Sequence, residues 1–213
     1  MILFGISVSP FARKVLIYAA ERGIALENRP LSPHADDAAF RAASPTGKIP
    51  ALQDGDYTLA DSSAIVQYLE AKFPANTLIP AEARARGKVA WFDEYADTVM
   101  FPVGTVIFFN RVVMPKLRRQ QGDLKAADDA EANKLPLLLA YLESCAPAQG
   151  FLVGDALTLA DITIVTQLIN LEHGGVPVDA ARYPKLAAYY ARIAARPAFR
   201  ALIDSERKLF GMS

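Results

Sequence analysis

Residues 47–65 read GKIPALQDGDYTLADSSAI. Two apolar runs, IPALQ and YTLA, flank Asp54-Gly55-Asp56, the turn signal of a β-hairpin. Pro50 lies within the first run, where it removes a ladder donor. The second run ends at Asp61-Ser62-Ser63, three side-chain oxygens that open DSSAIVQYLEAKF. Ile65, Leu69 and Phe73 recur there at four-residue spacing, which predicts an amphipathic helix. A hairpin followed by a helix is thus the centre from which the fold is read.

Upstream, MILFGI is a continuous apolar run, as expected of a strand buried on both faces. SPFARKVLIYAAERG follows, with Ser9 at the N-cap, Pro10 at the first helical position and Gly23 just past the end. ALENRPL predicts a second strand, and Pro30 assigns it to a sheet edge. A weak helix is expected over residues 35–43. The order is β-α-β-α-β-β-α, and a parallel pair joined by a helix crosses over right-handed. Beyond Phe73 no strand-like segment follows. PANTLIPAEARARG reads as a linker, then helices are expected over 84–119, 124–145, 158–173 and 183–196, with a short C-terminal piece. Pro102, Pro115 and Pro136 fall inside these stretches, and each is expected to kink or end its helix. The fold class is therefore α/β plus all-α: a domain over 1–75, a linker over 76–83 and a helical domain over 84–213.

Composition narrows the function. The 23 basic and 23 acidic residues cancel, so no basic excess points to nucleic acid. The one basic cluster, KLRR at 116–119, reads as a solvated helix end. Cys145 stands alone, without a disulfide, CxxC or Cys-rich zinc partner, and only His34 and His173 are available as imidazole ligands. No metal is expected. The N-terminus has no basic region before its apolar run, and the apolar run over 99–109 is too short to span a bilayer. A reduced, cytoplasmic chain that makes no membrane contact is the expectation.

Several residues carry possible chemistry. Ser9 is explained by an N-cap hydrogen bond worth about 1 kcal/mol, yet a helix N-terminus also favours an anion. Ser7 is its local competitor. A cis peptide at Ile49-Pro50 would present the Ile49 backbone to an extended ligand, although trans is the ordinary state. Asp61 and Ser62 exceed what one cap needs, since Ala64 leaves no capping-box partner. Thr158 and Asp161 in TLAD do form a capping-box pattern, with Leu157 and Ile162 at the staple positions.

SPFARKV, SPTGKIPAL, LADSSAIVQYL and GDALTLADITI, in this order and spacing, resemble the glutathione transferase family over essentially the whole length. The resemblance implies a thioredoxin-like N-terminal domain and conjugation of the glutathione thiolate to small hydrophobic electrophiles, with the chemistry of detoxification. It implies that Ser9 stabilises the thiolate, and that Ile49 before a cis Pro50 pairs with the cysteinyl part. Ser62 would hold the γ-glutamyl carboxylate with Asp61 beside it, and Lys48, with His34 as a second candidate, would meet the glycyl carboxylate. Phe101, Phe108, Phe109 and Arg111 are candidates for the second-substrate wall; aromatics at such spacing are also ordinary core or dimer interface. A homodimer is the family expectation.

Lowering a thiol pKa of about 8.5 by ~2 units takes ~2.7 kcal/mol. A helix terminus supplies ~0.3–1 kcal/mol and a charge-assisted hydrogen bond ~1.5–3 kcal/mol, so the two together suffice. A cysteine before PFA would signal thiol transfer; serine stands there instead. Alternatives within the fold are a glutathione-dependent isomerase or dehalogenase, and a non-catalytic interaction module, which needs none of these residues.

Overall fold

A computed structural model describes residues 1–212 and resolves two compact units, Met1–Pro80 and a second from Ala81 onward. In the first, β1 (Ile2–Phe4), α1 (Pro10–Glu21), β2 (Glu27–Arg29), α2 (Ala38–Ala43), β3 (Ala51–Asp54), β4 (Tyr57–Ala60) and α3 (Ser62–Lys72) follow in order. The sheet runs β2-β1-β3-β4, with β1 parallel to β2 and antiparallel to β3, and β3 antiparallel to β4. This is a thioredoxin-like arrangement. Pro30 lies just beyond β2, the edge strand, where its missing amide removes no ladder bond. Gly55 turns the hairpin with φ of 62°, in the left-handed region that glycine enters without steric cost.

Leu3, Phe4, Ala51 and Leu52 are fully buried, so the central strands are covered as their apolar runs require. On one side Phe4 packs against Phe40 of α2, with ring centroids 6.1 Å apart; α1 packs with α3. Arg22 closes the far end of α3. Its buried guanidinium donates to Tyr18 Oη, the Phe73 carbonyl, the Ala75 carbonyl at 2.8 Å and Glu70 at 3.1 Å. Glu70 in turn accepts from the Leu78 amide at 2.9 Å. These bonds satisfy carbonyls that a helix end leaves without partners, and burial raises the Tyr18 phenol well above its ordinary pKa.

The second unit is helical: α4 (Ala83–Glu94), α5 (Phe101–Phe108), α6 (Leu124–Asp129), α7 (Leu135–Cys145), α8 (Leu159–His173), α9 (Pro184–Ala194) and α10 (Pro197–Leu209). The prolines expected to kink or end their helices fall at or beside wide turns. Helical segments over Tyr95–Met100, Phe109–Leu117 and Ala130–Lys134 carry bonds to the fifth residue back, as in Phe101 N–H to Ala96 O and Arg118 N–H to Val113 O. Pro102 and Pro136 directly follow such turns and Pro115 lies within one. Helical backbone runs on through each of these positions, and wide turns of this kind are a usual place for a helix to bend. Ala83–Leu117 is consequently one helical run of 35 residues, long and apolar enough to cross a membrane by length and composition. The C-terminal piece is also longer than expected, a 13-residue helix.

α8 is the hub of this unit. Every residue from Leu159 to His173 except Glu172 is buried, and α4, α5 and α9 pack on it. Its start is held by Asp161. One carboxylate oxygen accepts from Leu152 N–H at 2.9 Å and Tyr189 Oη at 2.8 Å; the other accepts from Thr158 N–H at 2.9 Å and Thr158 Oγ1 at 3.2 Å. The capping box expected at TLAD is present. Burial pushes the Asp161 carboxyl up, against the hydrogen bonds that pull it down.

Asp161→Ala strands three buried donors at once and is expected to cost roughly 3–5 kcal/mol. Equilibrium urea unfolding measures it; a loss below about 1 kcal/mol would show that α8 does not depend on this carboxylate.

Candidate functional site

The strand register gathers the candidate residues of the first unit. Arg29, Phe4, Ala51 and Ala60 lie in one row across the sheet. His34 and Ser9 lie in the loops that follow β2 and β1, Pro50 immediately precedes β3, and Asp61 immediately follows β4. All four connections therefore leave the same end of the sheet. Residues scattered from 9 to 62 in sequence reach one surface because antiparallel β3 starts where parallel β1 and β2 end.

Ser9 is the N-cap of α1, with extended φ and ψ of −75° and 123°. Its Oγ accepts from the Ala12 amide at 3.5 Å, at the outer edge of hydrogen-bond range. Asp37, Asp61, Glu82 and Asp123 cap their helices at 2.7–3.0 Å. The Ser9 hydroxyl is half-buried and the loosest of these caps. Ser7 is half-buried too, in the turn between β1 and α1.

The Ile49–Pro50 peptide is cis. Ser44 Oγ donates to the Lys48 carbonyl at 2.6 Å, leaving the exposed Lys48 side chain to solvent. His34 is exposed and lies against Gly47, whose carbonyl accepts its amide at 2.8 Å. Gly47 has φ of 67°, and a Cβ there would collide with the His34 ring. A cavity of about 390 Å³ is lined by His34, Asp36, Arg41, Ser44, Thr46 and Gly47. Lys48 is the adjoining residue.

At α3 one oxygen of Asp61 accepts from both the Ser63 and Ala64 amides, at 2.9 and 3.0 Å. Asp61 itself has φ of 80°, a left-handed conformation rare outside glycine, asparagine and aspartate. Ser62 is 1% exposed and its Oγ has no hydrogen-bond partner. A buried hydroxyl without a partner is costly, and this one sits at a helix N-terminus, where anions are favoured. The arrangement can hold a carboxylate at α3 and an anionic atom at α1, on a shared face.

In the helical unit, Phe101 is half-buried and Phe109 is 37% exposed, with the Arg118 guanidinium over its ring at 5.4 Å. Phe108 is buried, and its ring meets Phe210 edge-on at 5.9 Å. Arg111 is engaged by Asp128 at 2.7 Å and Glu131 at 2.6 Å. So two of the four candidate wall residues are occupied within their own unit. The sequence reading also passed over Lys14, which is 1% exposed and donates to Ser63 Oγ at 3.1 Å. Its signal was available: Lys14 precedes the fully buried Ile17 and Tyr18 by three and four residues, so it shares their packed face.

Comparison with known proteins places the chain. Residues 3–77 match the glutathione S-transferase N-terminal domain and residues 108–206 its C-terminal domain. The chain belongs to the glutathione S-transferase family and is an enzyme of it. It is 30% identical to glutathione S-transferase theta-1 of Rattus norvegicus over 86% of this chain and 78% of that one. Among solved structures, a glutathione S-transferase from Rhodospirillum rubrum superposes with a TM-score of 0.82 at 28% identity, covering 94% and 90% of the two chains. A theta class enzyme from Xanthomonas axonopodis pv. citri, solved with glutathione bound, gives 0.80 at 27% identity, covering 95% and 96%.

The two caps separate in stability. Ser9→Ala removes a 3.5 Å bond and is expected to cost under about 0.5 kcal/mol, while Asp61→Ala removes two good ones and costs about 1–2 kcal/mol. Urea unfolding of both variants decides it, and an equal loss would contradict the loose cap at Ser9.

Proposed function

We propose that this protein binds glutathione across the end of the first unit's sheet and transfers its thiolate to small hydrophobic electrophiles. The observation that carries this reading is the unpartnered, buried Ser62 Oγ at the start of α3, in the same row of loops as the loosely held Ser9 hydroxyl. Ser62 holds the γ-glutamyl carboxylate, and Asp61 lies near the amino group. Ile49, before Pro50, pairs through its backbone with the cysteinyl residue, as the family resemblance implies. Lys48 meets the glycyl carboxylate, with His34 beside the same cavity.

Ser9 then donates its hydroxyl proton as a hydrogen bond to the sulfur anion. Its bond from Ala12 is long, so turning the hydroxyl toward sulfur sacrifices little. The thiolate attacks the electrophilic carbon, a sulfur–carbon bond forms, and in a displacement the leaving group departs with its electron pair. Proximity and a ready thiolate carry the step. Phe101 and Phe109, with Phe108 and Arg111, are the candidates on the long helix for the wall that meets the electrophile. A homodimer, a cytoplasmic setting and a detoxifying role complete the reading. The unpaired Cys145 is consistent with a reducing compartment.

Because Ser62 Oγ has no bond to lose, Ser62→Ala is expected to leave stability within about 0.5 kcal/mol of wild type. Glutathione affinity, by titration calorimetry, falls about tenfold, the worth of one hydrogen bond to a charged group. Wild-type affinity in Ser62→Ala would remove the carboxylate from this place. Conjugation of a chlorodinitrobenzene, followed by absorbance, is the companion assay for the electrophile class.

A further inference from the structure

The basic run KLRR at 116–119 has no part in the reading above, and its cations end differently. The Lys116 ammonium donates to the Phe210 carbonyl at 2.9 Å. Arg118 and Arg119 are exposed, and no carboxylate among the described residues pairs with either guanidinium. The Arg118 guanidinium instead lies over the ring of Phe109, 5.4 Å from its centroid. A helix C-terminus favours a cation, which accounts for an arginine here but not for its seat on an aromatic ring. That contact is worth about 0.5–1 kcal/mol at an exposed site, and it uses the flat face of the guanidinium, leaving the N–H donors at its edge. The segment beyond the arginines is fixed against the helix. Gly122 comes so close to Asn110 that a Cβ would lie 2.0 Å from the Asn110 carbonyl oxygen. Asp123 N–H donates to Asn110 Oδ1 at 2.9 Å, and Gln120 N–H to the Met114 carbonyl at 2.9 Å. Asn110 is the neighbour of Phe109, so this turn is anchored beside the exposed ring. The carboxylates that follow in the chain are already engaged: Asp123 caps α6, Asp128 and Glu131 hold Arg111, and Asp129 meets Asn133 and Lys134.

We propose that Arg118 makes the second-substrate site selective for aromatic electrophiles that carry an anionic group, a carboxylate or a sulfonate. This rests on the reading that Phe109 belongs to the wall that meets the electrophile. The substrate ring packs on the exposed part of Phe109, which is 37% open. Its anion takes the edge donors of Arg118, a planar fork that fits a carboxylate through two parallel N–H···O bonds. Arg119 adds to the local positive field, and its φ of 53° is the left-handed conformation with which a chain leaves a helix. The site is open to water, so the gain is modest and falls with salt. The chemical step is unchanged. Sulfur bonds to the carbon that bears the leaving group, a halide departs with the bonding electron pair, and the thiol proton goes to solvent. Arg118 touches only the remote anion.

The test crosses a protein change with a substrate change. The electrophiles are a chlorodinitrobenzoate, with its carboxylate para to the chlorine, and the methyl ester of the same acid. They share ring and leaving group and differ by one negative charge. Initial rates at saturating glutathione, followed by absorbance, give KM and kcat for each. Arg118→Gln is expected to raise KM for the benzoate about fivefold and for the ester less than about twofold, with kcat nearly unchanged. Arg118→Glu reverses the charge and widens that gap, and added salt narrows it in wild type. Phe109→Ala raises KM for both electrophiles. Equal effects of Arg118→Gln on the two mean that the arginine serves packing alone and overturn the proposal, as does the absence of an effect on either. Phe109→Ala without effect on either removes the wall from this place and overturns the proposal, while turnover of the ester leaves the transferase reading standing. Wild-type protein that binds glutathione by calorimetry yet conjugates neither compound defeats the reading of transfer to aromatic electrophiles, and the role of Arg118 with it.

Discussion

A helix leaves its first amides without partners, and in the first unit two helices satisfy theirs unequally. Asp61 caps α3 with two short bonds through one oxygen, which leaves the neighbouring Ser62 hydroxyl buried and unpaired. Ser9 caps α1 at 3.5 Å, a bond weak enough to be exchanged. The remaining structure of this unit holds those two helix starts on one face. The sheet register does so, since Phe4, Ala51 and Ala60 lie side by side, and the packing of α1 on α3 does so as well. Arg22 fixes the opposite end of α3 with bonds to carbonyls and to Glu70.

The helical unit solves a different problem. Its hub, α8, is buried almost throughout yet carries Asp161, Thr163, Thr166, Gln167, Asn170 and His173. Buried polar groups on such a helix cost least where they meet partners. Asp161 meets four donors, and His173 meets Glu206 of α10 at 3.0 Å, both buried. Wide turns lie at or beside Pro102, Pro115 and Pro136, and helical backbone runs on through each of these positions.

Much of this was legible in the sequence because caps and turns are local. Ser9-Pro10, Asp54-Gly55, Asp61 and Thr158-Asp161 each specify a boundary within a few residues, and the structure places elements there. What the sequence hid depended on distant partners. Proline signals a local disturbance by its sterics, and nothing nearby in sequence announces that wide turns will form beside it. Arg111 looked available until Asp128 and Glu131 engaged it. Phe108, which the sequence allowed as pocket wall or as core, packs edge-on against Phe210. The charged C-terminal stretch concealed a helix whose buried Phe199, Ile203 and Glu206 share one face. Lys14 was hidden by its own chemistry, since a lysine reads as surface unless its helical neighbours are weighed.

The central claim is that Ser9 holds a glutathione thiolate. An ultraviolet titration of bound glutathione, following thiolate absorbance against pH in wild type and in Ser9→Ala, tests it most directly. The account requires the bound thiol to ionise about two units below its free value near 8.5, and the alanine variant to lose most of that shift. A bound thiol that ionises at its free value, or a shift that survives in Ser9→Ala, would contradict it.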